Sequence, residues 1–368
     1  MRVDAFDFEL PPERIALSPA RPRDSARMLV VASDGSLTDT RVADLPKFLR
    51  AGDAIVVNDT RVIAARLEGV RVRNDAVATI EATLVKHVDS CRWRALVRPA
   101  KRVKVGERIR FGETGESMVC LLASLDAEVE EKREGGEVLL RFDFADAALE
   151  EAIDRLGSAP LPPYIAARRA PIENDRDDYQ TIFAERTGAI AAPTAGLHFT
   201  PELIDRLVAR GIAVHRVTLH IGPGTFLPVR VEEIEDHKMH SEEGCVDGAT
   251  ADALNAAREE GGRIVAIGTT SARILETAAN KAGRVEAFAG KTSLFISPGY
   301  RFRAVDALMT NFHLPRSTLF MLVSAFSGLE TMRAAYAYAI GAGYRFYSYG
   351  DACLLLSERF PRAFAPSP

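Results

Sequence analysis

The pattern of the sequence changes near residue 67, and this change constrains the fold more than any other feature. From there to about residue 144, short runs of alternating apolar and polar residues follow one another, separated by glycine or charged turns. Closely spaced strands without helices between them are typical of a small β-barrel. Before and after this stretch, apolar strands alternate with amphipathic helices, which indicates an α/β organisation.

The two flanking segments are long enough to share one core, and the 368-residue chain favours two domains. A helical pattern over 147–156 ends at Gly157 before a proline-rich stretch, which marks a junction. We therefore predict an α/β main domain with an inserted small, mostly antiparallel β-barrel domain. Residues 1–66 and 156–368 form the discontinuous α/β catalytic domain, and residues 67–155 form the barrel.

Composition narrows the class of protein. The longest apolar run near the carboxyl terminus, 319–326, is well short of the roughly 20 residues that cross a bilayer, and the first residues lack the features of a signal peptide. The cysteines are scattered and form no CxxC pair. We expect a soluble, reduced, cytoplasmic protein that is a monomer and does not associate with membranes. A net charge of −4 argues against a wholly basic surface but permits a local basic patch.

Two loops combine small residues with a histidine. AAPTAGLHFT holds Thr194 and His198 directly before a helix that Thr200 is placed to cap, although a purely structural His198 is an equally good interpretation. LHIGPGTFLPV places His220 at the end of a strand, followed by Gly222 and Gly224 in a turn that could present backbone N–H groups to a ligand. For the two glycines alone, a plain hairpin turn is the commoner meaning.

Two further strings carry charge and hydroxyl groups. HKMHSEE supplies His237, His240 and Glu242. A metal site on the two histidines is the weaker interpretation, and we favour His240 with Glu242 as an acid/base or hydrogen-bonding pair and His237 as a solvated residue.

IGTTSARILE places Thr269, Thr270 and Arg273 where a strand passes into a helix, whose amino terminus favours a carboxylate or phosphate. Ordinary capping by the threonines explains the hydroxyls almost as well. No nucleotide-binding glycine motif appears in the sequence.

Polar residues also stand at the ends of other apolar segments. They are Asn58, Asp59 and Arg61 after the first buried strand, Asn311 and His313 before a strongly apolar helix, and Asp351 in a turn before the last strand. A turn-forming role for Asp351 competes evenly with a functional one.

The barrel segment carries a dense basic run from Arg92 to Arg110, in which Lys101, Arg102 and Lys104 lie close together. On an acidic protein such a run is a candidate footprint for nucleic-acid phosphates. A solvated basic face is the commoner meaning of such runs and remains open.

Taken together, these strings resemble the S-adenosylmethionine:tRNA ribosyltransferase-isomerase family of queuosine biosynthesis. The resemblance extends in order over nearly the whole chain, from FDFELPPERIA through VVNDTRV, WRALVRPAKRVKVGE, AAPTAGLHFT, LHIGPGTFLPV, HKMHSE and IGTTSARILE to TNFHLPRSTLFMLVSAF and FYSYGDA. Several of these strings are long and unusual in composition, so coincidence explains them poorly. The resemblance implies an α/β main domain with an inserted β-barrel, in agreement with the change of pattern near residue 67.

The resemblance also implies a reaction. Members of this family transfer and isomerise the ribosyl group of S-adenosylmethionine onto 7-aminomethyl-7-deazaguanine at the tRNA wobble position, which gives epoxyqueuosine-tRNA and releases adenine and methionine. The expected partners are S-adenosylmethionine, as a consumed cosubstrate, and a tRNA that carries the deazaguanine precursor. No permanently bound cofactor and no metal are implied.

Such chemistry requires proton-transfer groups, because a sulfonium acidifies the C–H bonds beside it. The candidate proton-transfer set is His198, His220, His240 and Glu242. Thr269, Thr270 and Arg273 are candidates for the methionine carboxylate, and Lys101, Arg102 and Lys104 for tRNA phosphates. The pocket is completed by Asn58, Asp59, Arg61, Thr194, Gly222, Gly224, Asn311, His313 and Asp351. Two rival functions remain open from the residues alone: a noncatalytic tRNA-binding protein, and a metal-dependent hydrolase that uses His237 and His240.

Overall fold

A computed structural model describes residues 1–73, 76–112, 124–158, 161–170, 172, 174–222, 229 and 231–358. The strands are β1 (Arg27–Val31), β2 (Leu37–Arg41), β3 (Ala54–Asn58), β4 (Thr60–Val62), β5 (Arg66–Arg73), β6 (Ala76–Asp89), β7 (Arg92–Arg98), β8 (Arg108–Gly112), β9 (Ser124–Lys132), β10 (Glu137–Phe142), β11 (Arg186–Ala189), β12 (Ala213–Leu219), β13 (Glu242–Val246), β14 (Ile264–Ile267), β15 (Phe288–Thr292), β16 (Ala307–Asn311) and β17 (Ala352–Leu356). The helices are α1 (Asp146–Leu156), α2 (Pro163–Ala166), α3 (Asp175–Asp178), α4 (Pro201–Ala209), α5 (Gly248–Glu259), α6 (Thr269–Ala278), α7 (Thr318–Ser327) and α8 (Leu329–Gly341).

A nine-stranded mixed sheet forms the centre of the main domain, in the order β15-β13-β12-β3-β14-β16-β17-β1-β2. Strands β12, β3, β14 and β16 are parallel to one another, whereas β13 and β17 run antiparallel to their neighbours β12 and β16. The carboxyl ends of the four parallel strands therefore meet at one edge of the sheet, together with the amino ends of β13 and β17. Ligands bind at this edge in open α/β sheets.

The sheet has an apolar core on each face. In β3, Ile55 and Val57 belong to the core that packs on α4, and Val56 belongs to the core that includes residues of α6, α7 and α8. Successive strand residues point to opposite faces, so the uninterrupted apolar run of β3 requires both faces to be covered. The parallel centre of the sheet is consequently fixed between two helical layers.

Helix boundaries follow local signals in the sequence. Thr200 caps α4 by accepting a hydrogen bond from the Leu203 N–H at 3.2 Å, with Pro201 at the first helical position. Asp247 and Ser317 cap α5 and α7 in the same way. The loops before these helices are thereby held at defined positions.

The predicted barrel is present. Strands β10-β7-β6-β5-β8-β9 form a closed barrel, and every neighbouring pair is antiparallel. Leu149 and Ile153 of α1 pack into the barrel core, which also contains Phe111 and Trp93. The predicted fold class, an α/β main domain with an inserted antiparallel β-barrel, is therefore confirmed.

Two further features bear on the class of protein. None of the described helices is long and apolar enough to cross a membrane. The three described cysteines, Cys91, Cys245 and Cys353, are free thiols.

Candidate functional site

Asn58, at the end of β3, organises the carboxyl edge of the sheet. Its amide N–H₂ group donates to the Leu219 carbonyl at 2.9 Å and to Thr270 Oγ1 at 3.2 Å. Its carbonyl oxygen accepts from the backbone N–H groups of Thr60 and Leu219, each at 3.1 Å. This buried side chain ties together β12, β3 and the start of α6, so it is a framework residue of the site.

His220 follows the last residue of β12 and is half-buried. Its Nδ1 lies 2.7 Å from the hydroxyl of Thr60, which is fully buried. Gly188 of β11 lies directly against the ring, because a Cβ atom built on it would be 2.8 Å from His220 Cε1. Burial lowers the pKa of His220 below its ordinary value, so the ring is neutral near pH 7 and can accept a proton.

Asp59 lies next to this histidine pocket but faces another cavity. Its carboxylate accepts from the Thr218 hydroxyl at 2.7 Å and lies 3.7 Å from the Arg186 guanidinium. Burial raises the pKa of Asp59. The cavity that it lines, with Arg186 and Arg216, has a volume of about 190 Å³.

Glu242, at the start of β13, forms a buried ion pair with Arg273 of α6. The second carboxylate oxygen accepts from the Gly222 N–H at 3.2 Å, and Arg273 Nε donates to the Leu294 carbonyl at 3.1 Å. Arg273 Nη2 is buried and has no partner among the described residues. Gly224, the other glycine of this predicted turn, lies outside the described residues.

The amino terminus of α6 opens onto the same edge. Gly268 precedes the helix with a φ of 91°, and no side chain caps the helix there. Thr269 and Thr270 are buried, and the buried hydroxyl of Ser271 has no partner among the residues that the structure describes. Unpaired N–H groups and hydroxyls at a helix amino terminus are suited to an anionic group.

His198 lies in the turn above β14 and β16. Its Nε2 is 3.3 Å from Asn311 Nδ2, and the Asn311 carbonyl oxygen accepts from the Thr194 hydroxyl at 3.1 Å. Asn311 also donates to the carbonyl of Tyr347 at 3.2 Å. Burial, reinforced by Arg345 and Arg23, lowers the pKa of His198 to about 3. Its ring is therefore a neutral hydrogen-bonding group and a weaker base than His220.

Two predicted pocket residues form hydrogen bonds to other groups of the protein. His313 is buried, with Nε2 3.1 Å from the Thr310 hydroxyl and its backbone N–H donating to the Tyr336 hydroxyl. Asp351 accepts from the backbone N–H groups of Arg27 at 3.1 Å and Arg345 at 2.8 Å. These partners make Asp351 a residue that fixes the turn before β17, the structural alternative left open by the sequence.

The HKMHSEE segment is not helical up to His240, so a helical spacing does not bring its two histidines together. His237 packs its ring against Phe295 with centroids 5.2 Å apart, and His240 is exposed. Within the described ranges, no group of three or more histidine, cysteine, aspartate or glutamate side chains is arranged to hold a metal ion.

The basic run of the barrel divides into two groups. Four arginines on the strands face carboxylates: Arg92 pairs with Asp89, Arg94 with Glu131 and Glu137, Arg108 with Asp143, and Arg110 with Asp126. Lys101, Arg102 and Lys104 lie in the connection between β7 and β8, are exposed, and form no ion pair with any described residue. Arg98, at the end of β7, is likewise exposed and forms no ion pair with a described residue, so these four cations of the run are available to an external anion.

Arg61 lines a cleft that none of the other candidate residues lines. This cleft lies between the β4–β11 ribbon, the barrel and α1, and the Arg61 side chain is exposed. Most other candidates of the main domain lie along the sheet edge itself. The exceptions are His240, which is exposed, and Asp59 and Asp351, whose side chains face elsewhere.

Sequence reasoning missed two residues of the His220 pocket, Thr60 and Gly188. Thr60 stands in the polar NDTR cluster, which was a usable signal, because a hydroxyl beside two site candidates invites a partner. Gly188 has no such signal: its contact with His220 arises from the pairing of β11 with β4.

The buried histidines predict how stability depends on pH. Burial lowers the pKa of His313, like that of His198, to about 3, so both stay neutral in the folded protein while the unfolded chain gains protons below about pH 6.5. Stability is therefore greatest above pH 6.5 and declines as the pH falls toward 3. Between pH 7.5 and 5 each histidine should reduce the free energy of unfolding by about 2 kcal/mol.

Urea unfolding at pH 7.5 and pH 5 measures this difference. The variant His313→Gln should lose less free energy of unfolding between the two pH values than the wild type, by the contribution of one histidine. This difference does not depend on the variant's stability at pH 7.5. An identical loss in the variant would contradict the assignment of His313 as a buried neutral group.

Comparison with protein families identifies close relatives. A family model described as "Queuosine biosynthesis protein" matches residues 3–355. A Chelativorans protein named S-adenosylmethionine:tRNA ribosyltransferase-isomerase is 64% identical over 358 residues, which cover 97% of this chain and 99% of the relative. A protein of the same name from Nitrobacter winogradskyi is 62% identical over 359 residues, which cover 98% of this chain and 99% of the relative.

A solved structure is also similar. The crystal structure of an S-adenosylmethionine tRNA ribosyltransferase from Thermotoga maritima has 35% sequence identity and a TM-score of 0.53, and the match covers 96% of this chain and 100% of that one. The similarity thus includes both the sheet domain and the barrel.

Proposed function

This chain belongs to the S-adenosylmethionine:tRNA ribosyltransferase-isomerase family, and we propose that its reaction centre lies at the carboxyl edge of β12, β3, β14 and β16. The protein transfers and isomerises the ribosyl group of S-adenosylmethionine onto 7-aminomethyl-7-deazaguanine in tRNA, giving epoxyqueuosine-tRNA, adenine and methionine. The observation that carries the location is the His220 pocket, where a neutral imidazole is held by Thr60 beside the open amino terminus of α6.

His220 is the base in this proposal. The sulfonium of S-adenosylmethionine acidifies the ribose C5′ hydrogens, so a base can take one proton and leave the electron pair on carbon as an ylide. General-base catalysis is most effective when the pKa lies near the working pH. His198, with a pKa of about 3, is a weaker acceptor than His220, whose pKa is lowered less. If Thr60 accepts from Nδ1–H, the lone pair of His220 lies on Nε2.

The remaining candidates take supporting roles. The amino terminus of α6, with Thr269, Thr270 and the Arg273–Glu242 pair, binds the methionine carboxylate. His198 with Asn311 and Thr194 orients the nucleoside, and the exposed His240 exchanges protons with solvent. The protein acts as a cytoplasmic monomer without a metal.

The direct test of the proposed reaction is the mass of the modified nucleoside. Purified protein is incubated with S-adenosylmethionine and tRNA containing 7-aminomethyl-7-deazaguanine, and the digested nucleosides are weighed. The product should carry the mass of epoxyqueuosine. A gain of one methyl group instead would show methyl transfer and exclude the proposal.

The barrel, over residues 67–155, is the tRNA-binding domain in this proposal, and charge reversal tests it. Changing Lys101, Arg102 and Lys104 together to glutamate should weaken tRNA affinity and leave S-adenosylmethionine binding almost unchanged, because the unpaired cations lie outside the sheet edge. Each lost phosphate contact should reduce the salt slope of log affinity by about 0.7–0.9.

The measurement is tRNA binding at several salt concentrations. Lys281→Glu is the control, since this exposed lysine follows α6 at the opposite edge of the sheet. An unchanged affinity and slope in the triple variant would show a solvated basic face and place tRNA on the main domain.

A further inference from the structure

A cleft of about 350 Å³ separates the barrel from the main domain. Its floor is the β4–β11 ribbon with Arg61 and Gly188, one wall is the β6–β7 hairpin with His87 and Trp93, and the other wall is α1. The volume lies within the range of about 300–1,000 Å³ that is usual for small-molecule sites. The cleft is therefore large enough for one planar group of nucleobase size.

The cleft lies beside the His220 pocket. Gly188 lines it, and the same glycine lies against the His220 ring, where even a Cβ atom would be 2.8 Å from Cε1. One residue without a side chain thus lies between the cleft and the base of the proposed reaction.

The walls present hydrogen-bonding groups without partners. Trp93 is only 8% exposed, and none of the described residues accepts a hydrogen bond from its indole N–H. Glu150 and Glu151 of α1 are exposed, and neither forms an ion pair with a described residue, whereas Asp154 is paired with Arg176. Together with the exposed guanidinium of Arg61 on the floor, the cleft therefore offers N–H donors and two carboxylate acceptors.

An aromatic surface accompanies these groups. The His87 ring is exposed and meets Trp93 edge to face, with centroids 4.9 Å apart. Proteins bind unpaired RNA bases by stacking them on such rings and by hydrogen bonding to their edges. The carboxylates of Glu150 and Glu151 outnumber the one exposed guanidinium among the described lining residues, that of Arg61, so the net charge of the cleft favours a base over a phosphate.

We propose that this cleft binds the 7-deazaguanine base of the tRNA itself, which rests on the proposed function. The Watson–Crick edge of that base has one acceptor, O6, and two donor groups, N1–H and N2–H₂. Trp93 N–H matches the acceptor, and Glu150 or Glu151 matches the donors. The aminomethyl group is attached to the five-membered ring, away from this edge, and extends across Gly188 toward His220.

A pair of substrates tests the proposal. Glu150→Gln and Glu151→Gln are each compared with the wild type on tRNA whose target base has, or lacks, the 2-amino group. On the complete base, kcat/KM should fall about 10-fold in the variant that removes the recognising carboxylate. Removal of the 2-amino group should lower kcat/KM about 10-fold for the wild type. For that variant it should lower kcat/KM less than about 2-fold, because the variant already lacks the contact.

Additive losses in both variants, or no loss in either, would overturn the proposal. Glu260→Gln, which changes an exposed glutamate at the end of α5, is the matched control and should behave as the wild type on both substrates. His87→Ala should raise KM about 10-fold and His87→Phe should restore it, since phenylalanine keeps the stacking face. Wild type that forms no epoxyqueuosine would instead refute the proposed function, so the two failures are distinguishable.

Discussion

Replacing His220 by glutamine should lower the single-turnover rate by about 10²–10⁴-fold, the usual contribution of a positioned general base. Glutamine has a similar size and keeps a polar group near the Thr60 hydroxyl, but it cannot take up a proton at neutral pH. Because the missing step follows substrate binding, the affinities for tRNA and S-adenosylmethionine should change little.

The pH profile separates this role from a structural one. Burial lowers the pKa of His220 below 6.5, so wild-type kcat/KM should fall on the acidic side through that lowered pKa as the base becomes protonated. This acidic limb should be absent from the residual activity of the variant. His215→Gln changes a half-buried histidine of β12, the strand that His220 follows, and this variant should keep both the wild-type rate and the fall of kcat/KM at acidic pH. A His220→Gln enzyme within threefold of the wild-type rate would eliminate His220 as the base.

The second large effect concerns the buried pair of Glu242 and Arg273. Glu242→Gln keeps the shape of the side chain but leaves the Arg273 charge buried, with each side chain of the pair 5% exposed in the native protein. Removal of one partner from a buried ion pair costs about 3–5 kcal/mol. Urea unfolding should therefore show a lower free energy of unfolding by about that amount.

Turnover should also fall in Glu242→Gln, since Arg273 and the amino terminus of α6 lose the group that positions them, while tRNA affinity stays near the wild-type value. Glu260→Gln provides the control, because Glu260 is exposed at the end of α5. If Glu242→Gln were as stable and as active as Glu260→Gln, the pair would contribute nothing to the site.

Much of the fold was predictable from local patterns. The period-2 runs of the barrel and the cap residue Thr200 are local signals, and the strands and the helix they predict are present. The order of the strands in the sheet cannot be predicted from such local signals. β17 lies between β16 and β1, antiparallel to β16 and parallel to β1, and this placement depends on packing among segments far apart in sequence, which no local period encodes.

The candidate site was predictable as a set of residue types and less so as an arrangement. Asn58, His220 and Thr270 come from three distant strings, and parallel strands bring them to one edge. Whether a polar side chain faces the candidate site depends on its hydrogen-bond partners. Asp351 is occupied by backbone N–H groups, and Asp59 faces a separate cavity, outcomes that follow from tertiary contacts alone.

The central claim is that S-adenosylmethionine is dismantled as a ribosyl donor. The most direct measurement is the release of small molecules from S-adenosylmethionine during conversion of 7-aminomethyl-7-deazaguanine tRNA. Adenine and methionine should appear in equal amounts and in step with the modified nucleoside, and neither should appear without tRNA. Formation of S-adenosylhomocysteine in place of adenine and methionine would contradict the account.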